Sequence, residues 1–183
     1  MRRLALILGF FFVGGCSSAP SGGESLPRSC EGRYVLKLDA RLDEGWRSAA
    51  RHASARWGSM IGASFQEAPG SPEDEATCTV QVLLEDPGKG HFGEARTTFD
   101  SEGRLFASTI VVTLSPTRTE LQEGTMMHEF GHALGLPHDT DSTHRSVMWP
   151  YIQATTSASC PDWQRACAIW RCEAACQGGG WLP

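Results

Sequence analysis

The amino-acid sequence predicts an α+β fold, with strands and helices mixed but not regularly alternating. Three observations carry the prediction. Two stretches, "CTVQVLLED" and "ASTIVVTL", have the β-branched, alternating or continuous apolar character of strands. An alanine-rich stretch, "EGWRSAARHASARWGSMIG", places Trp46, Ala49, Ala50, Ala53 and Trp57 on one helical stripe. A third, "SASCPDWQRACAIWRCEAAC", opens with Ser159 as N-cap, Pro161 in the first turn and Asp162 beside it, a well-marked helix start.

In chain order, Arg2 and Arg3 precede the apolar run "LALILGFFFVGG". It is too short to span a bilayer comfortably and reads as the core of a secretory signal over residues 1–15. The run ends at Val13-Gly14-Gly15-Cys16, which resembles the bacterial lipobox. That resemblance implies cleavage before Cys16 and its acylation, and more than one acyl chain gives stable anchoring. Ordinary secretion with cleavage elsewhere is the competing reading. Residues 16–31 then form the anchor cysteine and a flexible tether, with "SSAPSGGESLPRS" rich in Ser, Gly and Pro. The expected localisation is the cell envelope, lipid-anchored, in the outer membrane if the cell has one, since Ser17 rather than Asp follows the cysteine.

Residues 32–183 are read as one domain. "RYVLKLDA" alternates Tyr34, Leu36 and Leu38 as a strand. Asp43 is placed to cap the alanine-rich helix, and "SFQEA" is a short strand. "PGSPEDEA" reads as a polar connection, and "PGKGHFGEARTTFDSEGRLF" as loop-rich with a turn at Asp100 to Gly103. Glu120 begins the helix that carries His128 and His132. The formal net charge of −5 and the absence of like-charge blocks argue against a nucleic-acid partner.

Of the seven cysteines, the six beyond Cys16 are Cys30, Cys78, Cys160, Cys167, Cys172 and Cys176. An even number in an exported protein points to three disulfides, whose connectivity spacing alone does not give. A structural zinc site at the C-terminal cluster competes, but the cluster contains no C-x-x-C pair.

"MMHEFGHALGLPHD" concentrates three of the six histidines, which packing does not explain. His128 and His132 are four apart and project from one helix face, where both imidazoles reach one zinc. Glu129 is poorly placed to ligate that ion but well placed to hold a water on it. Gly135 suits a left-handed residue ending the helix, Pro137 prevents its resumption, and His138 becomes a third ligand. Three protein ligands leave a fourth position open, the mark of a catalytic site. The alternative is a helix with solvated or core histidines; the long H-E-x-x-H-x-x-G-x-x-H spacing makes coincidence rare.

"HEFGHALGLPH" resembles the zinc motif of the metzincin metalloproteases. "SVMWPY", with Met148 followed by an aromatic residue and Pro150, is similar to the Met-turn of the matrixin branch. The resemblance implies a metzincin-like catalytic domain: a twisted mixed sheet, two long helices of which the second carries the zinc motif, and a small C-terminal subdomain with one helix. It implies a zinc endopeptidase with metal ligands His128, His132 and His138 and catalytic Glu129, which assists attack of a metal-activated water on the peptide bond. It further implies that "ASTIVVTL" is an edge strand pairing with an extended peptide or protein substrate, and that Trp149 to Gln153 wall the pocket beyond the scissile bond. Pro150 stands where other branches carry a metal-binding tyrosine, which leaves Tyr151 out of place for that role. The loop that holds a second zinc in matrixins offers His91 alone, and no ligand spacing supports calcium around Asp86 or Asp100. His52 and His144 read as surface residues, and a monomer is expected.

Two other classes compete: a non-catalytic zinc-containing surface binding module, and a hydrolase of something other than protein chains. An intact Glu129 argues against the first, because a retired protease has no need of the base. "PRSCEG" resembles the matrixin propeptide switch, in which a cysteine silences the zinc, but here Ser29 separates Cys30 from Pro-Arg. The four residues to Tyr34 span at most ~14 Å, too short a return path from a cleft. Using Cys30 on zinc would also leave an odd cysteine. The expectation is a disulfide from Cys30 to Cys78, the other four being clustered at the C-terminus.

Overall fold

The computed structural model describes residues 30, 32–68, 78–88, 90–99, 105–141, 146–151 and 157–173. The leader, Cys16, residues 17–29 of the tether, the "PGSPEDEA" connection, the Asp100 turn, His144, Gln153 and Cys176 lie outside them. Five strands, β1 (Arg33–Leu38), β2 (Ser64–Glu67), β3 (Thr79–Leu84), β4 (Gly93–Phe99) and β5 (Leu105–Val112), form one sheet in the order β2-β1-β3-β5-β4. All neighbours are parallel except β4, which runs antiparallel to β5. The helices are α1 (Glu44–Ile61), α2 (Thr119–Ala133) and α3 (Cys160–Trp170). This is the expected α+β class: a mixed sheet, two long helices and one further helix near the C-terminus.

Two strand assignments need correction. The segment read as loop-rich contains β4, and "ASTIVVTL" is not an edge. It forms most of β5, which is hydrogen-bonded on both sides, to β3 and to β4. Its run Ile110, Val111 and Val112 is buried at every position, as expected for a strand covered on both faces. The edge is β4, "GEARTTF", which is polar because half of it faces water. Glu94 and Arg96 on it are exposed and paired at 3.0 Å, and charges of this kind discourage adventitious pairing along an open edge.

Helix α1 forms where its apolar stripe and caps agree. The Asp43 side chain accepts the Trp46 N–H at 2.9 Å, and Gly62, at φ 68°, ends the helix in the left-handed region. Trp46, Ala49, Ala50, Ala53 and Trp57 are all buried; the alanines let α2 approach closely. Three indoles then stitch the helices together through backbone carbonyls: Trp57 Nε1 donates to Met127 O, Trp163 Nε1 to Met60 O and Trp170 Nε1 to Leu134 O, each at 2.9 Å. A buried indole N–H usually finds such a partner; that of the fully buried Trp46 has none among the described residues. Two of these bonds end on α2 or its C-cap, so the helix with the histidines is held from both sides.

Cys30 and Cys78 are disulfide-bonded, as expected, joining the segment before β1 to the start of β3. Cys167 pairs with Cys172, and Cys160 is disulfide-bonded as well.

Beyond β1 the buried Asp39 closes the end of the sheet. Its carboxylate accepts from Arg41 Nε and Nη2 and from the N–H groups of Arg41 and Leu84. The Arg41 hydrogen bond, outweighing burial, lowers its pKa from 3.8 to about 2. A carboxylate depressed in the folded state adds stability above its unfolded pKa, and this is lost as pH falls through the folded value. The shift corresponds to roughly 2.5 kcal/mol, reduced to about 1–2 kcal/mol because Arg41 is largely exposed and screened. Asp39→Asn should therefore be less stable than the parent at pH 7, with the gap closing between pH 4 and pH 2. Denaturant unfolding across that range measures it; a gap independent of pH would contradict the assignment.

Candidate active site

Helix α2 buries Met126, Met127, Phe130 and Ala133 in the core, which turns His128 and His132 outward one turn apart. After Ala133 the chain reverses at Gly135, φ 92°, with the Leu136 N–H bonded back to Gly131 O at 2.9 Å. Few side chains tolerate that φ, so glycine is required for the reversal. Pro137 follows, and His138 comes round to face the helix. The three Nε2 atoms converge: His128 to His132 is 3.0 Å, His128 to His138 is 3.2 Å and His132 to His138 is 3.1 Å.

The donor set tests whether a metal fits. His128 Nδ1 lies 2.7 Å from Val147 O, and His132 Nδ1 lies 2.7 Å from Leu136 O. A carbonyl only accepts, so each Nδ1 carries the ring proton and each Nε2 presents a lone pair. Burial, the largest cause, pushes the His128 pKa down to about 4 and lowers that of His132. Both rings are neutral at neutral pH and cannot share a proton. Lone pairs facing one another at 3.0 Å repel unless a cation lies between them. Nitrogens at ~2.0–2.1 Å from one tetrahedral zinc are ~3.3 Å apart. The residues fit such an ion, and His128, His132 and His138 are the group among the described residues that could hold it.

Glu129 packs against β4, lines the same cleft as the histidines and is 6 % exposed. Burial raises its pKa to about 7, opposed by the Ala95 N–H that bonds it and reinforced by the charge of Glu94. Gly93 makes room for it, since a Cβ there would lie 2.8 Å from Glu129 Cγ. Thr97 Oγ1 donates to His132 O at 3.2 Å, so β4 is latched to α2 beside both residues. Gly131, between the ligands, has a second use: a Cβ there would overlap Met148 Sδ, and Met148 is fully buried beneath the triad.

The turn at Met148 is positioned from α3. Asp162, itself fully buried, bonds the N–H of Val147 at 3.0 Å and the hydroxyl of Ser146. It also closes a capping box with Ser159. The expected helix start is therefore also a support of the site. The S-x-x-D spacing could have shown the cap, but nothing local showed the bond to Val147.

A cleft of about 670 Å³ runs past the triad, lined among others by Glu94, Ala95, Thr125, Leu136 and Trp149. Trp149, Pro150 and Tyr151 form part of its wall, and Tyr151 is 72 % exposed. His91 lines the cleft, and His52 is a surface residue 4.0 Å from Glu123.

A mixed sheet with one polar antiparallel edge thus lies beside a histidine triad, in an open cleft, whose donor set fits a metal ion. The sequence comparisons narrow the class. The family model for matrixin matches residues 115–163, which hold the triad, the Met148 turn and the start of α3. The chain is also 30% identical over 141 residues to Metalloendoproteinase 1 of Glycine max, an alignment covering 67% of this chain and 44% of that protein. Both matches support a matrixin-like metalloprotease. The chain thus spans under half the length of the curated relative it matches.

Proposed function

We propose that this chain is a zinc-dependent endopeptidase that hydrolyses extended peptides. The observation that carries the reading is the convergence of three Nε2 atoms within 3.0–3.2 Å, two of which present lone pairs because Nδ1 bonds to carbonyls fix the ring proton. In this reading His128, His132 and His138 hold the ion. Bound zinc supplies Lewis acidity, which acidifies water and polarises a carbonyl. Glu129, on the wall of the same cleft, accepts the proton of the attacking water at its carboxylate and returns it to the leaving amine. The outer edge of β4, rather than β5, receives the substrate backbone by strand addition, and Trp149 to Tyr151 contact the side chain beyond the scissile bond. A buried Glu129 with its own space made by Gly93 gives a binding-only module no advantage, and that alternative is not favoured.

Metal removal tests the reading. The purified chain should contain one zinc per molecule by elemental analysis, lose peptide-library cleavage on chelation and regain it with Zn²⁺. His132→Ala should hold little zinc. Cleavage undiminished in exhaustively chelated protein would end the proposal. We propose further that Cys16 is acylated and tethers the enzyme to the envelope. Mass spectrometry of membrane-derived protein should find Cys16 as a lipid-bearing first residue; a soluble form beginning at Pro20 or later would contradict it.

A further inference from the structure

Behind the triad, two buried carboxylates meet one guanidinium. Asp139, the residue after His138, is 6 % exposed, and Asp162 on α3 is fully buried. Arg165 Nη2 lies 2.9 Å from Asp139 Oδ2, 2.6 Å from Asp162 Oδ1 and 3.1 Å from Ser146 Oγ. Each carboxylate also organises backbone that leads to a ring facing the metal position. Asp139 accepts the Asp141 N–H at 3.0 Å, and its own N–H donates to Met148 O at 2.8 Å. Asp162 accepts the Val147 N–H, and Val147 O in turn receives the Nδ1 proton of His128.

Arg165 is therefore the joint between the His138 loop and the turn that orients His128. Helix α3 does not need it, since Ser159 and Asp162 already complete the N-terminal cap. Without its guanidinium the two carboxylates would lose the donor they share, and the loop after His138 would lose its hold on α3.

We propose that Arg165 is a positioning residue of the metal centre: by bridging Asp139 and Asp162 it fixes the His138 loop against the Met148 turn and so sets the metal affinity of the triad. The inference rests on the reading that the triad binds a metal. Groups that orient metal ligands from behind typically carry 10–100-fold in affinity. Lysine can replace the charge but not the planar fork, so Arg165→Lys should restore only part of the loss.

Zinc affinity is measured on the full chain by competition with a chromophoric chelator at fixed pH, alongside thermal unfolding of the metal-free protein. The variants are Arg165→Met, Arg165→Lys, Asp139→Asn, the Arg165→Met/Asp139→Asn double, and Trp163→Phe. The last removes the indole bond to Met60 O from α3 without touching the carboxylates. Arg165→Met and Asp139→Asn should each weaken Zn²⁺ binding by about 10-fold or more, and the double variant should be no weaker than the worse single one. Trp163→Phe should lower the unfolding midpoint yet keep the parent affinity. Cobalt substituted for zinc should show an altered visible spectrum in Arg165→Met. Parent affinity in Arg165→Met, additive losses in the double variant, or an equal loss in Trp163→Phe would each overturn the proposal. Should Arg165→Met fail to fold, Asp139→Asn decides alone, parent affinity there being fatal. A parent chain that takes up no zinc in this titration would instead remove the metal reading itself.

Discussion

Glu129→Ala is expected to reduce peptide hydrolysis by on the order of 10²–10⁴-fold, the usual contribution of a positioned general base, while zinc content and fold remain those of the parent. The separation of effects follows from the geometry. Glu129 lies outside the converging histidine nitrogens and faces Ala95 on β4. Its removal leaves every Nε2 and both Nδ1 bonds in place. Stability should change little, because two consequences oppose each other. The Ala95 N–H loses a partner, which costs about 1 kcal/mol, but a carboxylate whose burial opposes its ionisation at neutral pH is also removed. Glu129→Gln keeps the volume and should be as inactive as the alanine variant, which distinguishes proton transfer from packing. Turnover of a peptide library, elemental zinc and thermal unfolding on the three proteins decide the matter. Parent-like cleavage by either variant would take the base role from Glu129.

Cys30→Ser is expected to be strongly destabilising, because it removes one half of a buried disulfide. The bond to Cys78 closes a loop of 48 residues, for which the chain-entropy relation gives about 4 kcal/mol. It also braces the register of two parallel strands at the middle of the sheet, where Val35 pairs with Thr79 and the Val35 N–H bonds Cys78 O at 2.9 Å. Parallel pairing has no hairpin to guide it, so a covalent link just ahead of both strands should matter more here than between β4 and β5. The same bond bears on control of activity. A cysteine engaged with Cys78 is not available to block a metal, so Cys30→Ser should lower the unfolding midpoint and leave activity per folded molecule unchanged. Alkylation mapping of native protein with and without reductant checks the bond, and rate measurements check the rest. A free Cys30 thiol together with a rise in activity on substitution would mean that the thiol is inhibitory after all.

Much of this architecture was legible in the residues. The α1 stripe, the Asp43 and Ser159 caps, the left-handed Gly135 and the histidine spacing are local: each depends on residues within about a turn of one another, where period and backbone preference dictate the outcome. The misread parts were non-local. "GEARTTF" lacks the apolar alternation of a half-buried strand, because β5 gives it backbone partners and solvent takes its other edge. "IVVTL" gives a strong strand signal without saying which neighbours it has, and continuous apolar character marks an interior place rather than an edge.

The division between sequence and tertiary structure follows the reach of the interactions. By itself the sequence determined the α+β class, the residues of the triad with Glu129 beside them, the matrixin resemblance and the disulfide from Cys30. Only the tertiary structure decided that β4 borders the cleft, that Gly93 makes space for Glu129, that Gly131 accommodates Met148, and that Asp162 and Arg165 bond the turn behind His128 from 15 to 19 residues away. Those contacts join groups distant in the chain and depend on how closely backbones approach in the packed core, a property of the packing rather than of any local pattern of residues.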